Sequence, residues 1–144
     1  MADLAGLRLL VFRVGDLACA AEAALVREIL PAHNATRIPG ADAAVEGLIN
    51  VRGRLLALVD ARRALNRAPG PGNGPIVLLV VGEQVAGFAV DEVVDLFSVA
   101  ASDLVQRSDL PGIDSRVVRA VGSHAGVSFV LLDVDALLKP ILTA

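Results

Sequence analysis

The longest uninterrupted apolar run in this chain, Pro75 to Gly82, is no longer than a β-strand, and that limit sets the fold class. Hydrophobic residues arrive in short bursts, Leu7–Val14, Leu48–Val51, Leu55–Val59, Ile76–Val81, Val85–Val90 and Val127–Leu132, rich in β-branched side chains and separated by Gly, Asp or Asn. An amphipathic helix would repeat its apolar positions at helical spacing over a longer window, so many strands and few helices are expected. Turn residues join the bursts in pairs: Arg52-Gly53-Arg54, Gly82-Glu83-Gln84, and Gly15-Asp16, which folds Leu7–Val14 back on Leu17–Ala21. Each reads as a β-hairpin, with glycine supplying the positive φ of a tight reversal. Helical pattern is confined to Ala61–Leu65 behind Asp60 and Ala136–Leu138 behind Asp135, where each aspartate is placed to cap, and Pro140 should stop or bend the last turn.

The stretch Ala68-Pro69-Gly70-Pro71-Gly72-Asn73-Gly74-Pro75 is too rich in breakers to be an element, so it is a loop between two β-rich halves, approximately 7–67 and 76–139. Each half holds enough strand to close into a barrel of about five strands and so bury its edges. The fold expected is all-β, one domain over 1–144 made of two small packed barrels with short helices, and interleaving of the two barrels along the chain stays open.

Thirteen basic and sixteen acidic side chains give a net charge of −3, and phenylalanine is the only aromatic. Neither a phosphate-tracking basic face nor a base-stacking platform is available, so no nucleic-acid partner is expected. Mean hydropathy is high, +0.65, yet charges cut every apolar stretch well short of the ~18 residues of a membrane span, so no direct membrane insertion is expected. Asp3 and the lack of an early basic residue argue against a secretory signal and for the cytoplasm. Met1 and the short tail after Leu138 fit a free-standing protein. Cys19 is the only cysteine, and His33 and His124 have no ligand companion at metal spacing, so neither a metal site nor a cofactor is expected.

Several strings resemble chemistry without completing it. Phe129-Val130-Leu131-Leu132-Asp133-Val134-Asp135 ends a strand in the Asp-x-Asp of a phosphatase, but that reaction needs further carboxylates for Mg²⁺ and a later lysine. Nine residues follow Asp135, with one lysine and no acid, so a capped strand-to-helix turn is the better reading. Leu58-Val59-Asp60-Ala61 lacks the Thr or Ser and Gly of an aspartic protease. Asp91, Glu92 and Asp95 read as a solvated acidic edge at loop or helix spacing. The glycines of Gly70–Gly74 lack the lysine of a phosphate loop. His124 reads as a surface residue in a turn, and Cys19 as a small buried hydrophobe with no cation to activate it. The segment Gly47–Arg62 is more informative. Arg52 tips a hairpin between two very apolar strands, so its guanidinium must reach solvent or find a carboxylate; Glu28, which also interrupts a buried pattern, is the candidate partner.

Gly47-Leu48-Ile49-Asn50-Val51-Arg52-Gly53, followed by a strand ending Asp60-Ala61-Arg62, resembles the signature of the CheW-like domain, the coupling module of bacterial chemotaxis. Other pieces follow in family order: Leu10-Val11-Phe12-Arg13-Val14-Gly15, Val26-Arg27-Glu28-Ile29, Thr36-Arg37-Ile38-Pro39, Ala86-Gly87-Phe88-Ala89-Val90-Asp91-Glu92-Val93 and Leu131–Leu138. The resemblance covers about residues 7 to 139. It implies two five-stranded SH3-like β-barrels and no catalysis. It also implies an adaptor bridging the cytoplasmic tips of chemoreceptors to the regulatory domain of a CheA-type histidine kinase, recruited to membrane receptor arrays and able to join rings. The partner-binding positions it implies are Val26, Glu28, Gly47, Asn50, Arg52 and Gly53. Three departures stand out: Cys19-Ala20 where the family has an aromatic and Gly, Ala57 where it has Pro, and Ala61 where it has Leu. Val105-Gln106-Arg107-Ser108 before Pro111 also departs from the family, leaving a receptor-binding relative without kinase contact as the alternative.

Overall fold

The computed structural model describes residues 6–107 and 109–143; Met1, Asp3 and Ser108 lie outside them. Ten strands and two helices are present among these residues: β1 (Leu7–Val14), β2 (Leu17–Glu22), β3 (Val26–Leu30), β4 (Val45–Val51), β5 (Arg54–Asp60), α1 (Ala61–Ala64), β6 (Ile76–Val81), β7 (Gln84–Ala89), β8 (Glu92–Val99), β9 (Val118–His124), β10 (Val127–Leu132) and α2 (Val134–Leu142). They form two five-stranded sheets, ordered β8-β1-β2-β10-β9 and β3-β6-β7-β5-β4. All ladders are antiparallel except β2 with β10 and β5 with β7.

The sheets do not follow the two halves of the chain. Each half contributes a hairpin to one sheet and three strands to the other: β1 and β2 leave for the sheet completed by β8, β9 and β10, while β6 and β7 complete the sheet begun by β3, β4 and β5. The halves are structural repeats that have exchanged hairpins. Gly15 and Gly82 turn the first hairpins at φ 64° and 62°, Arg52-Gly53 and Ala125-Gly126 turn the second pair at near-identical positive φ, and Asp60 and Asp133 cap the helices that follow.

Neither sheet closes by a ladder. In each, the segment leaving one edge strand makes a single bridge to the other edge, Thr36 with Leu48 and Val105 with Val121, through paired hydrogen bonds of 2.8 Å. Curling buries both faces of the inner strands. Leu10, Phe12 and Val14 pack with Val77, Leu79, Val81 and Phe88 in the core between sheets, where Phe12 and Phe88 meet edge to face at 5.9 Å. Leu9 and Val11 turn instead into a cluster internal to their own sheet, with Phe129 and Leu131. The matching cluster in the second sheet joins Leu30 of edge strand β3 to Ile49 and Val51 of edge strand β4.

Several local expectations change. Glu92 and Asp95 lie on β8, an edge strand whose charged side chains face water, which is why its pattern did not read as a strand. Asp91 is no solvated acid, since it accepts from the Gly15 N–H and from Arg62. His124 ends β9, half-buried and stacked on Phe97 at 3.8 Å, and the turn falls one residue later. Asp133, rather than Asp135, caps α2 by accepting from the Ala136 N–H at 3.0 Å. Asp135 sits in the first turn, where helix dipole and Lys139 at 3.7 Å both favour a carboxylate. Pro140 removes one helix hydrogen bond without ending α2, because the preceding Leu137 and Leu138 are locked in the core. Cys19 is fully buried and its thiol is pushed up to about 12 by desolvation, although Arg67 is close enough to pull weakly the other way. None of the described helices is long and apolar enough to cross a membrane.

Candidate partner-docking site

Arg52 and Gly53 join β4 to β5 with φ of 51° and 85°, the primed turn that matches the right-handed twist of a hairpin. Positive φ at arginine costs on the order of 1 kcal/mol. Asn50 offsets part of that strain, its Oδ1 accepting from the Gly53 N–H at 2.9 Å. The turn therefore holds a long cation, rather than the Asn or Gly its backbone prefers, at an exposed tip.

From that tip Arg52 reaches Glu28 on β3, the opposite edge of the same sheet. Both guanidinium nitrogens donate, NH1 to Oε2 at 3.2 Å and NH2 to Oε1, and this hydrogen bonding holds the Glu28 carboxyl below and the Arg52 guanidinium above their ordinary pKa values. The Arg52 side chain is 70% exposed, so the pair adds little to stability by itself. Its effect is positional: it spans the gap between sheet edges, as the Phe97–His124 stack does in the other sheet.

A β-bulge shapes the other wall. Val26 faces Leu79 and Glu28 faces Leu78, so Arg27 is an extra residue outside the ladder. Adjacent residues of a regular strand point to opposite faces, whereas here Arg27 and Glu28 line one cavity of about 260 Å³ together with Arg52, Arg54, Val51, Leu56, Leu78 and Val85.

Of the residues expected at the site, Glu28, Asn50, Arg52 and Gly53 come together here. Val26 adjoins them, half-buried against the core between sheets. Gly47 does not join the cavity: it is buried at the far end of β4, beneath Thr36. Arg27 went unread because a bulge has no signature in a single sequence, and Arg54 because the hairpin alone does not reveal the edge strand it faces; the visible signal was only an arginine before Glu28 and one on either side of Gly53.

Glu46 is the extra residue of a similar bulge in β4. Desolvation by its neighbours, then the charge of Asp60, push its carboxyl above the usual value, with Arg63 pulling back. Ionisation is thus disfavoured in the folded state, and stability falls as pH rises from the unfolded carboxylate pKa through the raised folded one. Glu46→Gln should therefore raise the melting temperature at pH 7, and the gain should vanish in melts below about pH 4, where the unfolded carboxyl is also protonated. A gain independent of pH would remove this assignment.

A CheW-like domain model matches residues 8–141. The chain is 33% identical over 134 residues to the chemotaxis protein CheW of Rhizobium meliloti (strain 1021), covering 91% of this chain and 86% of that protein. It is 33% identical over 113 residues to a probable chemotaxis protein CheW of Rhizobium etli, covering 77% and 71%. The crystal structure of the scaffolding protein TtCheW from Thermoanaerobacter tengcongensis superposes with a TM-score of 0.85 at 18% identity, covering 93% of each chain. With a family model spanning nearly the whole chain and a full-length relative at one-third identity, the chain belongs to the CheW-like domain family.

Proposed function

We propose that this protein is a non-catalytic adaptor that couples the cytoplasmic tips of chemoreceptors to the regulatory domain of a CheA-type histidine kinase, and that the receptor seats at the Arg52–Glu28 rim. The observation that carries the site assignment is the pair itself: a strained, exposed arginine held by a carboxylate from the opposite sheet edge, beside a cavity with an apolar floor. A helical hairpin docks through apolar anchors for area and a fixed charge for orientation, and this rim supplies both. The domain runs from the first strand to the last helix, with kinase contacts at the sheet ends, ring assembly with the kinase's regulatory domain, and recruitment from the cytoplasm to receptor arrays.

The phosphatase alternative loses its carboxylates: Asp133 accepts the Ala136 N–H as a helix cap and Asp135 pairs with Lys139.

Arg52→Glu should leave the fold intact, because the side chain is mostly exposed, and weaken binding to a receptor cytoplasmic fragment by roughly tenfold or more, since it sets two carboxylates against each other at the docking rim. Titration calorimetry with that fragment checks it. Wild-type affinity in a folded variant would remove the site from this rim.

A further inference from the structure

Arg52 already shares its charge with Glu28, so it is not the only cation of the rim that could meet a partner. The cavity beside it carries two others. Arg27 and Arg54 are exposed, line the same 260 Å³ space, and have no carboxylate within ion-pair distance among the described residues; Arg8, Arg13 and Arg37 also lack one but lie outside this cavity, and the other basic side chains are each paired. Three guanidinia therefore surround one carboxylate in a chain whose net charge is −3, so the local positive field does not follow from bulk composition. The β3 bulge makes this arrangement: without the extra residue, Arg27 and Glu28 would face opposite sides of the sheet. Beneath the rim, Val51, Leu56 and Leu78 form a buried apolar floor.

Resting on the docking reading above, we infer that this cavity selects an acidic-apolar segment of its protein partner, with one large aliphatic or aromatic side chain on the floor and carboxylates on either side received by Arg27 and Arg54. Arg52 and Glu28 position the rim; Arg27 and Arg54 bind. A protein segment fits better than an anionic membrane surface, because the site is concave and holds Glu28 at its centre, where a flat sheet of headgroup charge would be repelled. Guanidinia in forked geometry also suit discrete carboxylates.

The test uses the full chain and a chemoreceptor cytoplasmic hairpin fragment as the probe. Arg27→Gln/Arg54→Gln removes both charges from exposed positions and leaves a neutral polar side chain at each. It should weaken probe binding at least tenfold and flatten its dependence on salt, while Arg52 stays in place. Replacing the carboxylates at the fragment's tip with glutamine should cost the wild type a similar factor and the double variant almost nothing. If the double variant binds as tightly as the wild type while Arg52→Glu does not, the rim is the docking site and the acidic selection is wrong. If Arg52→Glu and the double variant both bind normally, the docking reading falls as well. If the substitutions abolish binding to phosphatidylglycerol vesicles and leave fragment binding unchanged, the cavity reads a membrane and the inference is overturned.

Discussion

Gly47→Ala should destabilise the fold by about 3 kcal/mol or more, among the largest effects expected of any single methyl group added to this chain. The backbone there has φ of +149°, and a Cβ would stand 2.1 Å from the Thr36 carbonyl oxygen and 2.5 Å from its carbon. Those atoms are main chain, and they are held in place because Thr36 exchanges two 2.8 Å hydrogen bonds with Leu48. Relief therefore requires breaking the one backbone bridge between the edges of this sheet among the described residues, which also unseats the cluster shared by Leu30, Ile49 and Val51. For a domain of this size the thermal midpoint should fall by roughly 10 °C. Gly53→Ala is the internal control: φ is +85° but nothing lies within 4 Å of the added atom, so only the conformational penalty of about 1 kcal/mol applies. Equal melting temperatures for the two variants would show that the close approach at Thr36 yields easily. A damaged Gly47 variant would lose partner binding as well, through the fold rather than through a contact.

Asp91→Ala should remove about 2–3 kcal/mol, because one carboxylate ties together parts of the molecule that share no ladder. Its Oδ2 accepts the Gly15 N–H from the β1–β2 turn at 2.5 Å, both oxygens accept from the Arg62 Nε at 3.0 and 3.1 Å, and its own N–H donates to the Arg13 carbonyl. Arg62 in turn donates to the carbonyls of Ala68 and Pro69, pinning the start of the long loop. The two side chains are 22% and 27% exposed, so water does not fully replace a lost partner. Asp91→Asn keeps an acceptor for Gly15 and should lose about half as much. A urea-unfolding cycle with Arg62→Ala separates the ion pair from the turn contact; additive losses would mean that Arg62 and Asp91 are not coupled.

Much of this was legible because hairpins are local. Gly15, Gly53 and Gly82 mark reversals whose backbone demands them, and the strands on either side follow from the apolar bursts. The Arg52–Glu28 pair was also within reach, since each is the charge that interrupts an otherwise apolar segment. Partnerships between distant strands were not. The exchange of hairpins between repeats rests on parallel ladders between strands far apart in sequence, and the edge strand β8 disguised itself because its exposed charges serve no core. Gly47 was read as part of a docking surface when its reason is a carbonyl above it, and Asp91 was read as solvated when its reason is a turn seventy-six residues away. The bulge at Arg27 left no trace at all, because one extra residue in a strand is defined only by its partner.

The exchanged hairpins also dictate a schedule for the nascent chain. As the polypeptide leaves the ribosome, the sheet carrying Arg52 and Glu28 has all its strands once β7 has emerged, while the β1–β2 hairpin, synthesised first, must wait for β8, β9 and β10. Its parallel pairing with β10 joins Cys19 to Val130, far apart in the chain, the slowest kind of contact to find. The lobe carrying Arg52 and Glu28 can thus mature early, and the interval before the other lobe closes is when the waiting hairpin is most exposed to capture by a neighbouring molecule or a chaperone.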